Sequence, residues 1–264
     1  MCELAVFMRT SLAEDPVAPL AKEALTEDPS PPCAECPVAK FGIYQSTMKS
    51  SPETITGLRT KTVSYRPNRT ILQEGQSSEL FGSLRSGWAY EYRSLPDGRR
   101  HIQAFLIPGD TVVLELVSIG PFPVSFGVKA LTHASVCWFP ASSMTRLLLD
   151  EEAQRRETQY WMAYYFASLN HRAAAIAQNY ATGKVAQFLV ELLGRLKHRK
   201  LVKGDGYEFP PTQEQIGDCL GLTPVYMSKT LSHLKQRGIV EIKDRTLRVF
   251  NEHELVAIAE AKHR

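Results

Sequence analysis

Two groups of side chains in this sequence have types and spacing that can do chemistry. The first is a set of thiols. Of five cysteines, Cys33 and Cys36 form a C-x-x-C pair, Cys2 stands near the start, Cys137 lies in the run Ala134 to Pro140, and Cys219 lies far along the chain. A lone C-x-x-C serves as a redox dithiol, as half of a zinc site, or as two inert residues. An odd count in a chain without export signals argues against a disulfide framework. Cys137 has the ordinary alternative of a small apolar residue buried on a strand. Cys219 is expected to pack inside a helical unit, where its oxidation would disturb whatever that unit binds.

The second group runs from Thr212 to Gly238. Thr212 followed by Gln215 has the form of a capping box, and Ile216, Cys219 and Leu220 supply the inner face of a short helix. Gly221 permits a tight turn. Thr223 can cap a second helix whose first position is Pro224, and Gly238 can stop it. Met227, Thr230, Leu231 and Leu234 fall on one face, which directs Val225, Tyr226, Ser228, Lys229 and Ser232 outward. Cap, turn, cap and stop in this order predict a helix-turn-helix whose second helix enters the DNA major groove. Lys229 would donate to guanine O6/N7, Ser228 would bond a base edge or phosphate, and Val225 would touch a thymine methyl, with Thr223, Pro224, Tyr226 and Ser232 beside them. Two β-type runs, Ile239 to Lys243 and Thr246 to Phe250, add a wing. Lys235, Arg237, Lys243, Arg245 and Arg248 are then the expected phosphate contacts. The plain alternative is a helical hairpin beside a β-hairpin with no nucleic-acid role.

These residues need elements to hold them. Residues 1–54, rich in Pro, Glu, Ser and Ala, read as a flexible arm carrying Cys2, Cys33 and Cys36. Residues 55–140 alternate short β-type runs with turn signals such as Glu74-Gly75, Gly87, Asp97-Gly98 and Pro108-Gly109-Asp110, the pattern of an antiparallel β-roll. Residues 141–181 read as a long helix, with room for one break, since Ala141 to Asn179 holds no Gly or Pro. A helix of roughly 30 residues spans about 45 Å, more than a small roll can cover, so a second copy of the chain is the expected partner. Residues 182–264 form the winged helix-turn-helix, opened by an amphipathic helix bearing Val185, Phe188, Leu189, Leu192, Leu193 and Leu196. The fold class is α+β.

Composition agrees. The chain of 264 residues is 44% hydrophobic and 22% charged, which excludes a disordered chain. Residues 1–60 carry 5 basic and 8 acidic groups and residues 184–264 carry 14 basic and 10 acidic, so positive charge collects where an anionic partner is expected. Thr111 to Leu131, the longest apolar stretch, is interrupted by Glu115, Lys129, Pro121 and Pro123 and cannot be a membrane helix. Without a secretory signal, a cytoplasmic location and no membrane partner are expected.

A roll with Pro108-Gly109-Asp110, a long helix, the segment Lys184 to Leu192, and a helix-turn-helix reading Gln215 to Leu231 together resemble the CRP/FNR superfamily of bacterial transcription regulators over about residues 55–250. The resemblance implies a homodimer on an inverted-repeat operator, RNA polymerase as a partner, and the roll as sensor. Members that bind cyclic AMP carry a Gly-Glu pair and an Arg-Ser pair where this chain has Val112 to Leu116 and Pro123 to Phe126. The lack of a phosphate-binding arginine there argues against cyclic AMP. The FNR-like branch ligates an iron–sulfur cluster. Cys33, Cys36 and Cys137 match its pattern, the remaining cysteine is replaced at Phe41-Gly42, and Cys2 offers a fourth thiolate for a 4Fe–4S cluster. The recognition helix departs from the best-known members at Val225 and Lys229, where they have Glu and Arg, so the half-site should differ. One alternative is a cluster-free regulator controlled by abundance, cysteine oxidation or another ligand. Another is a cupin-like metalloenzyme, for which the roll offers only the isolated His101 and His133. No Ser/His/Asp, paired-carboxylate or phosphate-loop constellation stands in the sequence, and no enzyme activity is expected.

Overall fold

Where turn glycines separate short β-branched and aromatic runs, the chain folds as an antiparallel roll. The computed structural model describes residues 26–27, 31–114, 122–177 and 180–261. They form two compact units, one built from residues up to Ser94 together with Phe105–Trp161, the other from Leu95–Ala104 together with the chain from Met162 onward.

In the first unit a five-stranded sheet has the order β1 (Thr26–Glu27), β2 (Lys61–Tyr65), β11 (Ala134–Pro140), β5 (Leu80–Ser86) and β8 (Thr111–Val112). A four-stranded sheet has the order β3 (Thr70–Leu72), β10 (Gly127–Ala130), β6 (Ala89–Ser94) and β7 (Arg100–Leu106), and β4 (Ser77–Ser78) pairs with β9 (Phe122–Pro123). The core holds Ile71, Leu72, Phe81, Leu84, Trp88, Tyr90, Val136 and Trp138, all almost fully buried. Gly87 turns the chain from β5 to β6 at φ +75°, and a Cβ there would stand 1.9 Å from the carbonyl oxygen of His133. Only glycine fits that turn.

The described part of the expected arm is not loose. Residues 33–35 and 39–41 form 3₁₀ turns, followed by α1 (Gln45–Ser50) and α2 (Pro52–Leu58). Cys33, Ile43, Tyr44, Thr47 and Ile55 are buried. Elements of one or two turns show no sustained period, so the composition, dominated by Pro and polar residues, concealed them. Cys2 lies outside the described residues.

The long helix is two helices, α3 (Ala141–Asp150) and α4 (Glu152–Ala177), with Glu151 extended between them at φ −120° and ψ 109°. No helix breaker marks the place, but Asp150, Glu151 and Glu152 stand in series. Acids oppose the negative end of the α3 dipole and suit the positive end of α4.

In the second unit α5 (Ala181–His198) buries Val185, Phe188, Leu189, Leu192, Leu193 and Leu196, as its period predicts. Then come α6 (Gln213–Leu220), α7 (Pro224–Gln236) and α8 (Glu252–Glu260). The wing is larger than its sequence suggests: β12 (Val202–Lys203) and β13 (Gly206–Glu208) extend β15 (Thr246–Val249) and β14 (Val240–Lys243) into a four-stranded sheet. Asp244 and Arg245 both take positive φ, 50° and 55°, the geometry of a two-residue hairpin that follows strand twist. Among the described residues no helix is long and apolar enough to cross a membrane.

Candidate nucleic-acid interface and thiol site

The helix-turn-helix is built by side-chain caps at both of its starts. Thr212 Oγ1 accepts from the Gln215 N–H at 3.2 Å, and Gln215 Oε1 accepts from the Thr212 N–H at 2.9 Å. Gly221 ends α6 in the left-handed region at φ +64°. Gly217 also makes the turn close, since a Cβ there would stand 2.6 Å from the carbonyl oxygen of Leu222. Sequence reasoning passed over Gly217, although a glycine inside a helix is a signal of close backbone approach. Thr223 Oγ1 caps α7 by accepting from the Tyr226 N–H, with Pro224 at the first position.

Burial then divides α7 in two. Met227, Thr230 and Leu234 are buried, while Thr223, Pro224, Val225, Tyr226, Ser228, Lys229 and Ser232 are exposed. Val225 is 61% and Tyr226 60% exposed, a cost in apolar hydration that monomer packing leaves uncompensated. The expected phosphate contacts are of two kinds. Lys243 and Arg245 stand exposed on the wing. Lys235 Nζ is 2.7 Å from Glu241 Oε1, Arg237 pairs with Glu254, and Arg248 Nε donates to both carboxylate oxygens of Asp205 at 2.8 Å. The hydrogen bond from Lys235 holds the Glu241 carboxyl below its ordinary pKa, and Arg248 does the same to Asp205.

The thiols meet at the other unit. Cys33, Cys36 and Cys137 line one cavity with Tyr44, Arg59 and Arg85. The Cys33 N–H donates to Thr56 Oγ1 at 3.0 Å, the Cys36 N–H donates to the Cys33 carbonyl at 3.1 Å, and Cys137 Sγ lies 3.5 Å from Thr62 Oγ1. Burial pushes the Cys33 thiol up. A hydrogen bond from Thr56 and the charge of Arg59 oppose that rise, and the neighbouring sulfurs of Cys137 and Cys36 add to it. The cavity measures about 30 Å³, room for one or two waters and too small for an iron–sulfur cluster. Among the described residues no three His, Cys, Asp or Glu side chains are drawn together at single-ion distances. Three thiols line this cavity, and Tyr44 lines it too, with a buried hydroxyl that has no hydrogen-bond partner among the described residues.

The other residues singled out are placed elsewhere. Cys219 is buried in the helix-turn-helix core, which pushes its pKa up to about 12. His101 Nδ1 lies 3.0 Å from the Asp218 carbonyl, a hydrogen-bonded position within the second unit. Val112, Val113, Leu114, Val124 and Phe126, standing where cyclic-nucleotide binders carry their ligand residues, are all buried.

Comparison with known proteins decides the family. Residues 62–151 match the cyclic nucleotide-binding domain family, and residues 183–258 match the Crp-like helix-turn-helix domain family. The chain belongs to the CRP/FNR superfamily of transcription regulators. The nitrogen fixation regulation protein FixK of Rhizobium meliloti is 27% identical over 182 residues, covering 68% of this chain and 78% of that protein. The transcriptional activator protein FnrA of Stutzerimonas stutzeri is 21% identical, covering 86% and 92%. The solved structure of FixK2 from Bradyrhizobium japonicum has a TM-score of 0.67 at 27% identity, covering 76% of this chain and 98% of that one. A CRP/FNR regulator with an α+β roll, long helix and winged helix-turn-helix is thus what this sequence encodes, and the relatives named are regulators, not metalloenzymes of the cupin kind.

The long helix was expected to meet a second copy of the chain, and the residues of its apolar stripe can now be named. Met162, Phe166, Leu169, Ala173 and Ile176 follow one another on α4 at intervals of four, three, four and three residues, the spacing of a coiled-coil seam. Phe166 is 67%, Leu169 37% and Ile176 38% exposed.

Proposed function

We propose that this regulator acts as a homodimer that reads an inverted-repeat operator in double-stranded DNA, with α7 in the major groove. The observation that carries this reading is the division of α7, in which a buried Met227, Thr230 and Leu234 face holds the helix while Val225, Tyr226, Ser228 and Lys229 on its N-terminal half, and Ser232 beyond it, remain exposed. Thr223 and Pro224 present the positive end of the helix dipole toward a phosphate. Lys243 and Arg245 on the wing reach the flanking backbone. Lys235 and Arg237 contact phosphate only by exchanging their glutamate partners, so their contribution is smaller. The α4 seam joins the two copies, and RNA polymerase is the downstream partner expected of such a regulator. Selection of bound sequences from random duplexes tests the reading, and failure to enrich a twofold-symmetric site would overturn it.

The effector site is the thiol cavity. Cys33, Cys36 and Cys137, with Cys2 as the fourth thiolate, would hold a 4Fe–4S cluster, which supplies redox or oxygen sensitivity when bound. Arg59 and Arg85 offset the negative charge of thiolates there. Cyclic AMP is disfavoured as the ligand, because Val112, Val124 and Phe126 are buried and uncharged. Anaerobic purification should give a coloured, iron-containing protein that loses its visible absorbance in the Cys33→Ser variant. Colourless, iron-free protein would remove the cluster. A cluster-free regulator is then the second reading, favoured by Phe41-Gly42 in place of a cysteine and by the small cavity.

A further inference from the structure

A second cavity, separate from Cys33, Cys36 and Cys137, lies wholly within the second unit. It measures about 160 Å³ and is walled by α4, α5, α6 and the start of β7. The buried Ala175, Phe188 and Leu220 form its inner surface, while Leu169 and Ile176, partly exposed on the α4 seam, form its outer side. An apolar cavity of about 150 Å³ is large enough to hold benzene, so room for a ring-sized apolar body is present without any movement of the chain.

One cation stands in this apolar lining. Arg172 lines the cavity and is half-buried, and its Nε is buried with no hydrogen-bond partner among the described residues. The other polar groups of the lining are already engaged. Glu191 Oε1 lies 3.5 Å from Arg195 Nη1, Gln187 Nε2 donates to the His171 carbonyl at 3.2 Å, and His101 Nδ1 lies 3.0 Å from the Asp218 carbonyl. Burial raises the pKa of the Cys219 thiol on the same lining, and the charge of Arg172 opposes that rise, so the guanidinium acts inward. A second copy laid along the α4 seam does not complete the site, because Met162, Phe166, Leu169, Ala173 and Ile176 include no anionic side chain. A carboxylate does complete it, since it accepts two parallel, charge-assisted hydrogen bonds from a guanidinium.

We propose that this cavity binds a small carboxylic acid with a compact apolar body of about six carbons, its carboxylate on Arg172 and its body against Phe188, Leu220 and Ile176. Filling it requires neither a cluster nor DNA. Because α4, α5 and α6 all reach the cavity, the bound acid touches both the helix that bears the seam and the first helix of the helix-turn-helix.

The test titrates the full-length protein with benzoate, benzamide and acetate, and reads binding from saturation-transfer NMR of the probe protons. Benzoate, a ligand of about nine heavy atoms, should saturate wild type with a Kd of about 0.1 mM. Benzamide keeps the ring and loses the charge, whereas acetate keeps the charge and loses the ring, and each should bind about tenfold more weakly or worse. Arg172→Met should weaken benzoate about tenfold or more and melt at the same temperature as wild type or higher, because a buried group without a partner is removed. Ala175→Leu fills the cavity and should abolish benzoate binding. The proposal is overturned by folded wild type that shows no saturable benzoate binding, by benzamide that binds as tightly as benzoate, or by an affinity that Arg172→Met or Ala175→Leu leaves unchanged. None of these readouts involves DNA or iron, so their failure leaves the reading of the protein as a regulator intact.

Discussion

Lys229 and Lys235 lie six residues apart on the same helix, yet the structure gives them different work. Lys229 is exposed beside Val225 and Tyr226, whereas Lys235 is already 2.7 Å from Glu241. Lys229→Ala should therefore weaken binding to the selected operator by about 1–3 kcal/mol and relax the preference at one base position. Lys235→Ala should produce a smaller loss that is uniform across sequences. Fluorescence anisotropy on operator and scrambled duplexes separates the two outcomes, and equal effects would contradict the placement of α7. Cys219 offers a second contrast. Burial holds its thiol near a pKa of about 12, so it should resist iodoacetamide at neutral pH in the folded protein and react only after denaturation. Rapid labelling of native protein at Cys219 would show that the helix-turn-helix core opens.

Element by element, the first unit is secured by a junction that no motif announced. Gln154, fully buried on α4, accepts from Thr47 Oγ1 at 2.7 Å and donates to the carbonyl of Ile43 and, at 3.3 Å, to Thr158 Oγ1. Thr47 also lies 3.1 Å from Glu151 Oε2, and the Ser46 N–H donates to Glu157. The segment bearing Cys33 and Cys36 is thereby bolted to the start of α4. Gln154→Leu leaves the Thr47 hydroxyl and the Ile43 carbonyl without that partner and should cost about 1–3 kcal/mol, read as a lower melting temperature of the iron-free protein. No period or motif encodes such a contact, because it joins a short helix to one more than a hundred residues later. The helix-turn-helix was legible for the opposite reason. Thr212, Gln215, Gly221, Thr223 and Pro224 act on backbone within four residues of themselves, so local chemistry alone reveals them. The wing is intermediate: the hairpin at Asp244-Arg245 was readable, but β12 and β13 join it only through tertiary pairing. Its ion pairs also make a prediction. Both Glu241 and Asp205 have folded pKa values below their unfolded ones, so their contribution is present above about pH 4 and fades as pH falls through the lower folded values. Acid melting of Glu241→Gln should show a shallower pH dependence in that window than wild type.

At the scale of the whole molecule, one recognition helix is too little. A single helix reads only a few base pairs, and a twofold dimer doubles the site by placing two such helices about 34 Å apart on one side of the duplex. The α4 seam is what supplies the twofold axis in this reading. Phe166, Leu169 and Ile176 remain exposed there, and a second copy laid along the same stripe would bury all three against their own equivalents. A charge at the centre of such a stripe meets its own image across the axis, where repulsion and lost apolar burial add. Leu169→Glu should therefore sediment as a monomer, while Tyr160→Glu, at a more exposed position off the seam, should remain a dimer. Operator affinity should fall about a hundredfold or more in Leu169→Glu, because two linked half-site contacts become two independent ones. Binding to an isolated half-site should be unchanged, since α7 is untouched. A Leu169→Glu protein that stays dimeric by analytical ultracentrifugation would move the axis to another face of α4.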